Sequence, residues 1–160
     1  MANAIKLLKE DHQKIRDLFT DLGHANDERR ARLLHDIEQE LVMHAAVEEE
    51  IFYPEFKEVV GDNERYYEAK EQHHVVKLLL RELADMSPTT DECKAKSKVL
   101  QKIVEHHIEE EEEQMLSRAE KMMKDLEELG VRIEARKHDM TKFYAEASTR
   151  ETTKAAKRSS

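Results

Sequence analysis

The chain has 160 residues and a formal charge of −9, with charged and apolar residues at 39% each. Three Gly and two Pro leave too little turn punctuation for a sandwich, a barrel or a phosphate-cradling glycine loop, and the acidic balance disfavours nucleic acid. Cys93 is the single cysteine, which excludes a disulfide framework and a thiolate metal cage and fits a reducing compartment.

The first helix is predicted from about Asn3 to Leu22, ahead of Gly23. Asn26 or Asp27 can cap the second, whose pattern continues from Arg29 until Pro54 ends or kinks it. Gly61, Asp62 and Asn63 form a turn, with Asp62 or Asn63 capping a third helix that reaches about Asp85 before Ser87-Pro88. Thr89 with Glu92 three residues on gives a capping box for the fourth. A straight run from there to Leu129 would far exceed the other helices, so a break is expected between Leu116 and Ala119. Val131 to Ala147 reads as one more helix, and Ser148 to Ser160 is expected to fray.

The fold class is therefore all-α, an up-down-up-down four-helix bundle with a C-terminal helical extension. Its expected parts are a bundle over residues 1–118, the extension over 119–147 and a flexible basic tail over 148–160. Residues 131–160 hold eight Lys/Arg against four acids, a charge of +4, which leaves −13 on residues 1–130. Such a tail is ordinarily a solvated terminus; the alternative is contact with an acidic partner or a nucleic acid, and it is where a protein partner would dock. No apolar run approaches the ~18 residues of a membrane span, and no signal-peptide core follows Met1. No membrane contact is expected, and the location expected is cytoplasmic.

The inward stripes, spaced alternately three and four apart, carry the functional signal. They read Ile5, Leu8, His12, Ile15, Phe19, Leu22; then Leu34, Ile37, Leu41, His44, Glu48, Ile51. The third reads Tyr66, Ala69, His73, Val76, Leu80, Leu83, and the fourth Leu100, Val104, His107, Glu111, Met115. Each is apolar except near its middle, where a His stands, and in two of them a Glu follows one turn later.

A buried polar group without a partner costs about 1–3 kcal/mol, and a whole domain is stable by only roughly 5–15 kcal/mol. Six such groups at one level need a shared partner, and a pair of cations bridged by the two carboxylates supplies one. His and Glu at i and i+4 share a helix face. A lone seam His is ordinarily a satisfied core residue, but four of them with two His-x-x-x-Glu pairs point to metal. The other five of the nine His fare differently. His74 and His106 sit about 100° off the seam, and His24, His35 and His138 have no repeated context. In the Glu109–Glu113 run, Glu111 alone is expected to point inward.

An internal repeat supports the same choice. His12-x-x-Ile15-Arg16-x-Leu18-Phe19-x-x-Leu22 matches His73-x-x-Val76-Lys77-x-Leu79-Leu80-x-x-Leu83, and His44-x-x-x-Glu48-Glu49-x-x-Phe52-Tyr53 matches His107-x-x-x-Glu111-Glu112-x-x-Met115-Leu116. Two helical hairpins each present a His and then a His-x-x-x-Glu.

Asp11-His12, His44-x-x-x-Glu48-Glu49 with Phe52-Tyr53-Pro54, Gln72-His73 and His107-x-x-x-Glu111-Glu112 together resemble the hemerythrin-like (HHE cation-binding) family over about residues 3–117. The resemblance implies a four-helix bundle around two oxo- or hydroxo-bridged iron ions. Glu48 and Glu111 would bridge, and His12, His44, His73 and His107 would be terminal ligands. Mixed imidazole and carboxylate ligation suits iron, with zinc or manganese as alternatives. Two departures stand out: Lys77 occupies the place of the second helix-three His of the oxygen carriers, and Leu116-Ser117 replaces a common Phe-Pro. The first favours exogenous ligands or redox chemistry over plain oxygen carriage.

The function expected is binding of O2, NO or peroxide at the metal pair, in sensing or stress response. The alternatives are a peroxide- or NO-consuming enzyme, iron storage or delivery, and a structural bundle stapled by zinc. Nothing supports Ser/His/Asp or Cys/His catalysis.

Overall fold

The computed structural model describes residues 2–159. Ser160, the last residue of the expected tail, lies outside them. The protein is all-helical. Helix α1 (Ala4–His24) turns at Ala25-Asn26 into α2 (Asp27–Val47), which passes through a π-helical turn (Glu48–Phe52) into α3 (Tyr53–Val60). After Gly61-Asp62 comes α4 (Asn63–Ala84) and then α5 (Asp91–Glu110), which runs through a second π-helical turn (Glu111–Leu116) into α6 (Ser117–Met122). A short loop leads to α7 (Leu126–Arg158).

Side chains fix the helix starts. Asn3, Asn26, Asp62 and Thr90 each accept a hydrogen bond from the backbone N–H three residues on, satisfying a donor that has no intrahelical partner. At the fourth start the cap is Thr90, bonded to the Cys93 N–H, and not Thr89 with Glu92. Gly61 adopts φ 75° at the end of α3, a conformation that suits glycine.

Pro54 does not end the second rod. It lies in the first turn of α3, where its missing N–H costs little, and the helical path continues to Val60. The fourth rod does not break between Leu116 and Ala119: its helical path runs through the π turn at Glu111–Leu116 to Met122, and the break comes at extended Met123, before α7. The last helix starts at Leu126, before Gly130, and continues through the segment expected to fray as far as Arg158. A Cβ on Gly130 would lie 2.4 Å from the Ala2 carbonyl oxygen, so the absent side chain lets α7 close on the N-terminus.

Two apolar clusters make up the core. One gathers Leu8, Val47, Phe52, Phe56, Met115 and Leu116 with Leu129 and Ile133 of α7. The other holds Ile15, Leu41, Val76, Leu80, Val104 and Ile108. Along each of the four rods the predicted His, with its Glu where present, falls between a residue of one cluster and a residue of the other.

Candidate metal centre

The six predicted residues come together in that intermediate layer, all buried: His12 from α1, His44 from α2, Glu48 and Glu111 from the π turns, His73 from α4 and His107 from α5. His24, His35, His74, His106 and His138 are all exposed.

Glu48 lies at the middle of the cluster. Its Oε1 is 2.8 Å from His44 Nε2 and 3.8 Å from His12 Nε2, and its Oε2 is 3.1 Å from His73 Nε2 and 4.0 Å from His107 Nε2. Glu111 is divided the same way, with Oε1 at 3.2 Å from His12 Nε2 and Oε2 at 3.4 Å from His107 Nε2. Two groups of ligand atoms result, each within 4.8 Å of one another: His12, His44, Glu48 and Glu111, and Glu48, His73 and His107. Both carboxylates are placed to span two positions.

The second ring nitrogen of each His faces a group on its outer side. His12 Nδ1 meets Glu112 Oε1 at 2.8 Å, His44 Nδ1 meets Asp11 Oδ2 at 3.1 Å, and His107 Nδ1 meets Gln72 Oε1 at 2.6 Å. His73 Nδ1 faces Glu49 Oε2 at 3.4 Å. The scheme follows the internal repeat. Asp11 and Gln72 precede the first His of each half and orient the second His of the same half. Glu49 and Glu112 follow the seam Glu of each half and face the first His of the other. An Nδ1–H held in this way leaves Nε2 as the inward lone pair. The expectation that only Glu111 of its acidic run turns inward therefore needs amending, because half-buried Glu112 reaches His12 as well.

A tyrosine completes the cluster. Tyr53 is fully buried, and its hydroxyl donates to Glu111 Oε2 at 2.6 Å while lying 3.1 Å from Glu48 Oε2 and 3.2 Å from His73 Nε2. Lys77 points elsewhere, its Nζ 2.8 Å from Glu49 Oε2. The polar group added on the His73–His107 side is thus a phenol from the opposite hairpin. Regular helical spacing places Tyr53 off the stripe, and the sequence signal it left was the Phe52-Tyr53 pair recurring as Met115-Leu116.

Electrostatics inside the layer are severe without a cation. Burial opposes charge on His44 and His107, yet Glu48 and Asp11 at His44, and Glu111 and Glu48 at His107, outweigh it and push both rings up to about 9. Burial, with the neighbouring Glu111 and Glu48 charges, holds the Tyr53 phenol neutral, far above its ordinary range. Despite the short separations, His12 Nε2, His44 Nε2, Glu48 Oε1 and Glu111 Oε1 make no hydrogen bonds, and they account for four of the six such buried side-chain atoms among the described residues. These four atoms belong to the residues of the first ligand group. Buried polar atoms normally find partners; here the four converge on a common space, which fits a cation held, once the rings give up their protons, by imidazole nitrogen and carboxylate oxygen.

Comparison with known proteins shows the family. The model of the hemerythrin HHE cation binding domain matches residues 3–119. A DNA nickase of Nostoc sp. is 31% identical over 111 residues, 69% of this chain and 31% of the nickase. An uncharacterized hemerythrin-like protein of Schizosaccharomyces pombe is 26% identical over 123 residues, 75% of this chain and 61% of that protein. The chain thus spans less than two thirds of either curated relative. A crystal structure of a hemerythrin HHE cation binding domain-containing protein from Mycobacterium kansasii superposes with a TM-score of 0.78 at 27% identity, covering 88% of each chain. The chain belongs to the hemerythrin HHE cation-binding domain family.

Proposed function

We propose that this protein binds two iron ions in the buried layer and uses them to bind O2, NO or peroxide, in sensing or in a stress response. His12 and His44 would hold one ion, His73 and His107 the other with Tyr53 beside it, and Glu48 and Glu111 would bridge. The observation that carries the reading is the set of four unpartnered, converging ligand atoms on His12, His44, Glu48 and Glu111. Bound iron would supply an exchangeable coordination position and redox chemistry.

The protein's own residues orient and exclude. Asp11, Gln72, Glu49 and Glu112 hold the imidazoles from outside, the Tyr53 hydroxyl keeps a proton beside Glu111, and the two apolar clusters keep bulk water away. A cavity of about 20 Å³ lies against His44, His73 and His107, walled by Leu41, Val76 and Leu80. That volume takes about one water-sized molecule, which favours a ligand no larger than two heavy atoms. The −13 charge of residues 1–130 repels a polyanion and only the +4 of residues 131–160 could meet one, so the partner in this reading is a small molecule and not DNA.

Anaerobic reconstitution with iron(II) followed by titration with NO tests the reading. Saturable binding at no more than one NO per iron, with a new visible absorption, is expected. Absence of any spectral change in an iron-loaded chain would count against it. Sustained consumption of NO or peroxide would replace binding with catalysis at the same residues.

A further inference from the structure

The two halves of the centre orient their second His differently, and the difference leads to α7. In the second half the orienting group is the neutral amide of Gln72, whose own nitrogen donates to Glu110 Oε2 at 2.7 Å. In the first half the equivalent residue is Asp11, a carboxylate that is 3% exposed. A buried carboxylate is costly unless both of its oxygens are paired. The additional donor comes from Lys137 on α7, whose Nζ donates to Asp11 Oδ1 while Asp11 Oδ2 takes the His44 Nδ1–H.

Neighbouring contacts keep Lys137 in place. Ile133, one turn earlier, is fully buried, and Met140 is buried on the same helix. Arg136 also meets Glu50 of the first π turn at 2.8 and 3.3 Å, but both side chains are exposed and the pair adds little to the docking. The Thr141 hydroxyl lies 3.8 Å from Sδ of Met43, the residue before His44. Helix α7 therefore packs as an outer wall of the His44 side, although it begins after the last residue matched to the family.

We propose that Lys137 is a positioning residue: by pairing with Asp11 it fixes the His44 ring with Nδ1–H outward and Nε2 toward Glu48. The proposal rests on the metal-site reading only for its consequence at the metal, and the ring orientation stands without it. Lys137 makes the bond geometry of His44 depend on α7 being docked. Because coupling is reciprocal, the state of the centre then biases the docking of the helix that carries the exposed C-terminal arm.

The test uses the full chain as Lys137→Gln, Lys137→Arg and the control Arg136→Gln. Nitrogen–proton NMR of the metal-free protein reads the His44 ring N–H, and cobalt(II) titration reads binding at the centre. Lys137→Gln is expected to lose the slowly exchanging His44 Nδ1–H signal and to weaken the tighter or weaker of the two cobalt steps about tenfold, the low end for partners of metal-bound His. Lys137→Arg should restore both, and Arg136→Gln should leave both as in the native chain. An unchanged ring signal in Lys137→Gln would overturn the proposal, as would an equal loss in Arg136→Gln, which would mean that helix docking alone matters. A native chain that takes up no cobalt would refute the metal reading, and the ring signal would still decide the role of Lys137.

Discussion

Glu48 and Glu111 occupy equivalent places in the two halves of the bundle, and each is the first residue of a π-helical turn. A π turn adds a residue to the α-helical register and commonly marks a functional position. Here its effect can be followed residue by residue. Glu48 and Glu49 both reach His side chains, as do Glu111 and Glu112, although neighbours on a regular helix diverge by about 100°. Where the turns end, Phe52 with Tyr53 and Met115 with Leu116 are consecutive buried pairs. The register shift thus brings the Tyr53 phenol beside carboxylates that regular periodicity had already turned inward.

Removing the phenol hydroxyl should separate its two roles. Tyr53→Phe keeps the ring in its apolar surroundings and strips a donor from Glu111. The metal-free protein is expected to change in stability by about 1–3 kcal/mol, the cost of an unmade buried hydrogen bond, as read by urea denaturation. In the metal-loaded protein the ion on the His73–His107 side should be lost first to a mild chelator. Equal retention of both ions would place Tyr53 outside the coordination shell.

The outer partners of the imidazoles should matter nearly as much as the inward ligands. Glu112→Gln and Gln72→Leu are each expected to weaken metal binding by about 10–100-fold while the helical signal persists. Competition with a coloured chelator measures this. No change in either variant would mean that the ring orientations are set by packing alone.

The pH response has opposite signs in the two forms. His44 and His107 are held near 9 in the metal-free protein, against an ordinary value of 6.5. A raised His stabilises the fold fully below 6.5, and that contribution is lost as pH rises through about 9. Denaturation of the metal-free protein should therefore show stability falling between these limits. Metal must displace the same protons, so its apparent affinity should climb over the same interval and level off above it. Affinity independent of pH from 6 to 9 would contradict protonation of these rings.

Much of this site was legible in the sequence because buried polar residues violate an otherwise regular stripe. His12, His44, His73, His107, Glu48 and Glu111 could be picked out since 3.6-residue periodicity holds on every rod up to the layer itself. The same periodicity failed just beyond it. The π turns change the register from Glu48 and Glu111 onward, so Tyr53 fell off the extrapolated stripe, and helix length alone placed the break of the fourth rod a few residues too early. The contribution of Lys137 was hidden for another reason. A lysine on an amphipathic helix looks like any solvated charge until the packing of Gly130 against Ala2 and the burial of Ile133 bring it over Asp11.

Metal content of the purified protein is the most direct measurement, taken on the native chain, on His44→Ala/Glu48→Ala and on His35→Ala/His138→Ala. Two iron ions per native chain are expected, mostly lost in the first double variant and fully kept in the second, whose His are exposed. A folded native chain holding no metal or a single zinc ion, or equal loss in both double variants, would contradict a paired-iron centre built on these six residues.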